Sequence, residues 1–356
     1  MTACGFGGMC VSQEGTMKFT TPKFLVSLGI TLIVGILAVA GLRALGVIGT
    51  AVDPDDPAVL VKQATQALEA VRQRQPGERR PASYDMVLAP LDKLVQQTRS
   101  LLESDEYDPV TSYEKLRSLA LPIIDLATQA DAQARSETGF LAKEYRFNAQ
   151  KGEACQYLAN AMWERINRRL PPPTGYFNEG VQYPPHEMEE LRRVMDMGIA
   201  ASPQNADLFY IRGVVNRAEG LFGPAARDLE RAVEIDGEYV GAWNVLGLVC
   251  IALKEFDKAE DALERARALS LSIAERMKTP PNEEYTAILY NLATFHEGLA
   301  SFYARENRIA PTVESQRLLQ RHAGEARRYF EEFLQREPSG SADAKAVQSK
   351  LQALPR

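Results

Sequence analysis

Residues 209–232 laid over residues 243–266 match at a spacing of 34: Phe209 falls on Trp243, Gly213 on Gly247, Ala225 on Ala259, Leu229 on Leu263 and Ala232 on Ala266. Within the second copy, Trp243, Leu246, Gly247 and Cys250 recur at intervals of 3 and 4, the spacing of one helix face. A turn at Lys254 and Glu255 leads to a second helix whose face carries Ala259, Leu263 and Ala266. Glycine inside a helix costs roughly 1 kcal/mol of propensity. It is kept where the missing side chain lets a neighbouring helix come close, and Ala259 plays the same part on the second helix. The two copies therefore predict two antiparallel helical hairpins packed in the same way.

The period and the residue order resemble the signature of the tetratricopeptide-repeat (TPR) family, in its membrane-anchored bacterial type. The connection Glu234–Asp236 fits that family, whereas Gly237 stands where it usually has proline, and Leu271 departs at the same place one repeat later. The resemblance implies an all-α, TPR-like helical-hairpin solenoid over residues 151–338. A third copy is opened up. Leu292 and Ala293 match the first-helix pair, Ala326, Phe330 and Phe333 match the second helix, and Pro338 closes the unit. Leu292 and Ala326 are 34 apart where about 13 is usual, so an insertion of about 21 residues lies between 293 and 326. Both helices are expected to be extended, with a break near Ala310 and Pro311. Upstream, Gly152–Leu170 and His186–Ala201 read as the two helices of a degenerate copy. The proline-rich link between them has no claim to helix. Residues 52–150 read as a helical N-terminal region, either a separate domain or degenerate repeats. Its candidates are a stripe at Leu60, Ala64, Leu68 and Val71, then helices over 84–102, 112–130 and 140–148. Residues 339–356 read as a flexible tail or frayed helix.

The start of the chain has a different character. Residues 1–23 are small and polar, predicting a disordered segment, and Met17 offers a second plausible start. Phe24–Leu42 holds 19 residues without a charge, and after Arg43 the apolar character resumes. A bilayer span needs about 20 residues, so 24–49 reads as a single N-terminal transmembrane helix. The alternatives are a cleaved signal, given Ala38-Val39-Ala40, and a buried core helix. Lys18 and Lys23 against Arg43 place the N-terminus inside. That predicts a single-pass protein of a bacterial inner membrane with its soluble domain in the periplasm. Beyond residue 50 lie 46 of the 47 acids and 38 of the 41 Lys and Arg, a net charge of −8. This balance argues against nucleic acid as a partner and against flat adhesion to an anionic bilayer.

No motif for chemistry stands out. His186, His296 and His322 are far apart in sequence, and none has a second ligand at metal spacing. His296 and His322 are able to meet across the insertion, but two polar histidines near solvent are expected. Cys155 and Cys250 read as small buried thiols, with a disulfide between them as the lesser alternative. No cofactor, metal or catalytic residue is predicted. What remains is binding. The TPR resemblance puts each first helix on a concave face. The residues it places there are Asp207, Tyr210, Val214 and Arg217, then Asn244, Leu248 and Ile251, then Tyr290, Asn291, Thr294 and Glu297. This mix suits a groove for a helix or extended peptide. The TPR subclass that holds a C-terminal carboxylate uses Lys with Arg and Asn, and the matching faces here offer no Lys. The alternative occupants are internal: the proline-rich link or the C-terminal tail. The implied function is a non-enzymatic protein-interaction module tethered to a membrane, a scaffold or assembly factor for a membrane-associated complex. The alternatives are an integral accessory subunit of a large membrane complex, and an enzyme with an unrecognised helical site.

Overall fold

The computed structural model describes residues 53–75, 81–135, 147–170, 181–338 and 340–355. The chain divides into two units, 1–59 and 60–356. Of the first, only a turn and the start of a helix are described. The expected disordered segment 1–23, the anchor at 24–49 and most of the candidate helix 140–148 lie outside the described residues. Among those described, no helix is long and apolar enough to cross a membrane.

Twelve helices are described, and no strand is described among them: α1 (Pro57–Gln73), α2 (Pro81–Leu102), α3 (Tyr113–Arg135), α4 (Phe147–Arg169), α5 (Pro185–Ala201), α6 (Ala206–Ala218), α7 (Phe222–Ile235), α8 (Val240–Ala252), α9 (Phe256–Met277), α10 (Glu283–Ile309), α11 (Val313–Arg336) and α12 (Ala342–Ala353). Consecutive pairs α4/α5, α6/α7, α8/α9 and α10/α11 pack as hairpins. This is the TPR-like stack that the 34-residue spacing predicts.

The spacing governs the interior in atomic detail. A Cβ placed on Gly213 would stand 2.7 Å from Leu229 Cγ, and one on Gly247 would stand 2.5 Å from Leu263 Cγ. Backbone of the second helix follows close behind, with Ala225 O at 3.4 Å and Ala259 O at 3.3 Å. The same leucine thus fills the same glycine notch in both hairpins, and Leu229 and Leu263 are fully buried. The turns repeat as well. Gly220 has φ 76° and Lys254, its partner 34 residues on, has φ 63°. Leu221 N–H donates to Asn216 O and Glu255 N–H to Cys250 O, so each first helix ends in a left-handed cap that satisfies its last carbonyls. Glycine adopts that conformation without cost. Lys254 adopts it against a steric penalty of about 1 kcal/mol, offset by the hairpin packing.

The first repeat adds an ion pair. Asp228, buried on α7, accepts from Arg212 Nη2 at 2.7 Å, Arg212 Nε at 3.0 Å and Asn216 Nδ2 at 2.9 Å. A buried carboxylate is tolerable when its lone pairs are filled in this way.

The opened copy is one long hairpin. α10 runs to Ile309, the chain turns through Ala310–Thr312, and α11 begins at Val313. Thr312 and Ser315 form a reciprocal capping box that fixes the start of α11. The break falls where Ala310 and Pro311 predict it. His296 and His322, expected near solvent, lie inside this hairpin, with 1% and 4% of their surface exposed. The extension of both helices by several turns brings the two together. Their Nδ1 atoms are 2.9 Å apart. Tyr329 stacks on His296 and Tyr303 on His322, at interplanar angles of 11° and 7°. Two neutral rings at that distance need one Nδ1 to donate and the other to accept.

The N-terminal region belongs to the same unit. From residue 60 on, α1, α2 and α3 share one apolar core with α4, α5 and part of α6. The stripe Leu60, Ala64, Leu68 and Val71 is buried as its spacing predicts. Pro122 sits inside α3 and Pro90 inside α2.

Of the two readings of the tail, a frayed helix or a flexible segment, the structure has a helix over most of it. Residues 342–353 form α12, capped by Ser341, whose hydroxyl accepts from Ala344 N–H. Val347 and Leu354 are buried against the core formed by the later hairpins, so the polar composition of the tail hid the docking of this short helix by its apolar edge.

Cys155 and Cys250 are free and buried. Burial pushes the Cys155 thiol up to about 12 and the Cys250 thiol up to about 11. Thiolate is the reactive form. Iodoacetamide followed by peptide mass mapping should leave both unmodified at pH 8 and modify both in urea. Rapid native labelling of either would contradict their burial.

Candidate protein-binding groove

First helices touch first helices along the stack: α2 meets α4, α4 meets α6, α6 meets α8, and α8 meets α10. This row carries the face that the repeat register points to. Among the described residues it carries a groove of about 1030 Å³ between α2, α4 and α6. Tyr157, Asn160, Trp163 and Asn167 of α4 form its floor, Arg99 and Leu102 of α2 one wall, and Asp207 of α6 the other. Tyr107 and Pro109 close the end. The floor residues follow helical spacing. A second hollow of about 570 Å³ surrounds the α5–α6 turn and shares Glu153 and Asp207 with the first.

Polar contacts organise the walls. Arg99 donates to Glu153 at 2.8 Å and to the Tyr157 hydroxyl at 2.8 Å. Asp207 accepts from Gln156 Nε2 at 2.6 Å and from the Tyr239 hydroxyl at 2.7 Å, so one carboxylate links α4, α6 and α8. Asn205 caps α6 and also donates to Gln156. Burial raises the Glu164 carboxyl above its ordinary value, against the lowering effects of Tyr107 and Arg168. The side-chain amides of Asn160 and Asn167 form no hydrogen bond among the described residues.

The residues expected to face a partner separate into two groups. Asp207 lines the groove. Tyr210 lies beside it, with its ring 4.9 Å from that of Tyr239, and burial raises its hydroxyl above the ordinary value. Arg217 is half-buried near Tyr183 and Tyr210, and burial lowers it below the ordinary arginine value. Val214 is half-buried in the later core. The second group serves packing. Asn291 Nδ2 donates to Asn244 Oδ1 at 2.9 Å across α10 and α8. Leu248 is buried, and Ile251 half-buried. Tyr290 packs on Phe330 and Phe333 of its own hairpin, with centroids 6.4 and 5.8 Å away. Thr294 is buried and donates back to Tyr290 O at 2.7 Å. Glu297 is paired with Lys350 of α12 at 2.5 Å. The groove and the residues from Asn244 onward thus occupy different parts of the row.

Both internal occupants weighed from the sequence have a counterpart. The C-terminal segment reaches the row through Lys350. The proline-rich link reaches it through Tyr183, which stacks on Trp163 at 5.6 Å; residues 171–180 are outside the described set. The floor of the groove was missed because α4 belongs to the degenerate copy. Gln156, Asn160, Trp163 and Asn167 recur at helical spacing, a polar-aromatic stripe that does not fit a buried face and was the available signal. Among the described residues no three His, Cys, Asp or Glu side chains group as a metal site.

No family model and no curated protein matches the chain. Solved structures do. The chain is similar to MamA at 17% identity, covering 55% of this chain and 98% of that one with a TM-score of 0.29. It is similar to a thermophilic TPR protein of Thermus thermophilus at 17% identity, covering 68% and 97% with a TM-score of 0.34. It is similar to yeast Tom70 at 15% identity, covering 88% and 77% with a TM-score of 0.26. At such values the likeness carries no partner or activity across to this chain. The TPR-like assignment rests on the repeated glycine notches, caps and hairpins.

Proposed function

We propose that this chain is a non-enzymatic TPR-like scaffold that holds a segment of a partner protein in the groove between α2, α4 and α6. Residues 24–49 anchor it in a bacterial inner membrane, with the repeats on the periplasmic side, where it serves as a scaffold or assembly factor for a membrane-associated complex. The observation that carries the binding reading is the groove itself. It is open and floored by aromatic rings, and it offers two asparagine amides with free donors and acceptors for a peptide backbone. The uncharged run Phe24–Leu42 supports the anchor.

A photo-crosslinking side chain placed at Asn160, in the full chain in its native membrane, should yield a discrete protein adduct. The same group at the exposed Glu230 of α7 should yield none. Equal adducts at both positions, or an adduct at Glu230 alone, would move the binding face to the second helices.

A further inference from the structure

The groove has a sign. Of the side chains that line it, Glu103, Glu153, Glu164 and Asp207 are acidic, against Arg99 and Arg168. Arg99 is neutralised in place by Glu153. At the end closed by Tyr107, the loop between α2 and α3 carries Glu103, Asp105, Glu106 and Asp108 within six residues. Glu103, Asp105 and Glu106 are exposed to water. Glu164 lines the groove from α4 and is itself exposed to water, near Tyr107 and Arg168. Ionised carboxylates lining a groove form charge-assisted hydrogen bonds with a guanidinium or ammonium brought into it. Tyr107, Tyr157 and Trp163 add aromatic surface, on which guanidinium groups stack.

Building on the reading of this groove as a protein-binding site, we propose that its occupant is a basic segment of the partner, with arginine or lysine next to aliphatic residues. The cationic side chains meet Glu164 and the Glu103 rim. The aliphatic ones cover the aromatic floor, and Asn160 and Asn167 bond the segment's backbone. An acidic segment meets like charge at Glu103, Glu164 and Asp207, a penalty that sets specificity more than affinity.

The chain has two tryptophans, Trp163 and Trp243. In the full-length detergent-solubilised protein carrying Trp243→Phe, Trp163 alone reports on the groove. The probes are an acetylated, amidated octapeptide alternating leucine with arginine and its leucine–glutamate counterpart. The arginine peptide should shift Trp163 emission saturably, with affinity falling as salt is raised, and the glutamate peptide should not. Glu103→Lys, an exposed change that leaves the fold alone, should weaken the arginine peptide by at least about tenfold, and Glu164→Gln should weaken it as well. Equal affinity for both peptides, binding of neither, or indifference to both variants would overturn the basic-segment inference. Failure of the broader reading is a separate event, seen when a crosslinker at Asn160 captures no protein at all. An adduct at Asn160 that maps to an acidic partner segment would overturn the charge assignment while keeping the groove.

Discussion

Gly247→Leu lowers the urea-unfolding free energy by about 2 kcal/mol, while Gly298→Ala leaves it unchanged or raises it. Both glycines sit inside helices, α8 and α10, so both replacements gain the roughly 1 kcal/mol of helix propensity that glycine forfeits. They differ in what the new side chain meets. At Gly298 an added Cβ has nothing within 4 Å. At Gly247 it would come within 2.5 Å of Leu263 Cγ and 2.8 Å of Leu263 Cδ2, with Ala259 O behind them at 3.3 Å. Leu263 is fully buried and Ala259 O is main chain, so neither gives way cheaply. Helices α8 and α9 must separate, and overpacking of this kind costs about 1–3 kcal/mol before the larger side chain finds any room. The strain therefore outweighs the propensity gain. Gly213→Leu should behave likewise, because its notch is the same one, 34 residues earlier. Stability unchanged in both notch variants would remove the repeat register on which the hairpin assignment stands.

The second large effect is a loss of stability in mild acid. Burial, and after it the neighbouring His322, pulls His296 down to about 3 from an ordinary value of 6.5. Burial and Arg321 lower His322 as well. The groups that face the pair are Tyr303 from α10, Arg321, Arg328 and Tyr329 from α11, and Glu264 from α9. Of these only Glu264 favours a charged imidazole, and it already accepts from Tyr329 and Arg267. The sign follows. The unfolded chain takes up protons below pH about 6.5 and the folded chain does not. The contribution is therefore complete above that pH and is lost as pH falls through 6.5 toward 3. At pH 5, His296 alone accounts for about 2 kcal/mol. The melting temperature should drop between pH 7 and pH 5, a window in which most carboxylates stay ionised. The double variant His296→Leu with His322→Leu removes both titrating groups and leaves no polar atom orphaned, so its melting temperature should stay nearly level across that window. An equally steep fall in the double variant would locate the acid sensitivity elsewhere.

What the sequence revealed and what it hid have physical reasons. Gly213 and Gly247 were legible because a helix interior tolerates glycine only for a packing gain, and a spacing of 34 showed the gain twice. The long hairpin was legible because Leu292 and Ala326 keep their identities on either side of the insertion. The histidine pair was not. Polar residues 26 apart in sequence meet only if two helices are extended in register, and nothing in their own neighbourhood marks them as buried. The docking of helix α12 was hidden because Val347 and Leu354 are a thin apolar edge in a polar segment. The candidate face was legible by register but not by use. Register placed Tyr290, Thr294 and Glu297 on first helices, yet Tyr290 packs into its own hairpin, Thr294 is buried and α12 pairs with Glu297. The aromatic floor lies one helix earlier, on α4, where the repeat signature has decayed.

The direct test of the binding reading is a mild-detergent pull-down of the full-length protein from its native membrane, run beside Trp163→Ala. Partner masses and ratios are read out, with equal melting temperatures as the check on folding. Trp163 contributes the largest ring on the groove floor. A groove that holds a partner segment predicts that native protein recovers a defined membrane-associated partner and that Trp163→Ala loses most of it. Recovery at a fixed unit ratio would identify a structural subunit, and substoichiometric recovery an assembly factor. The same partner recovered undiminished by Trp163→Ala would contradict the account, because capture would then depend on some other surface of the chain.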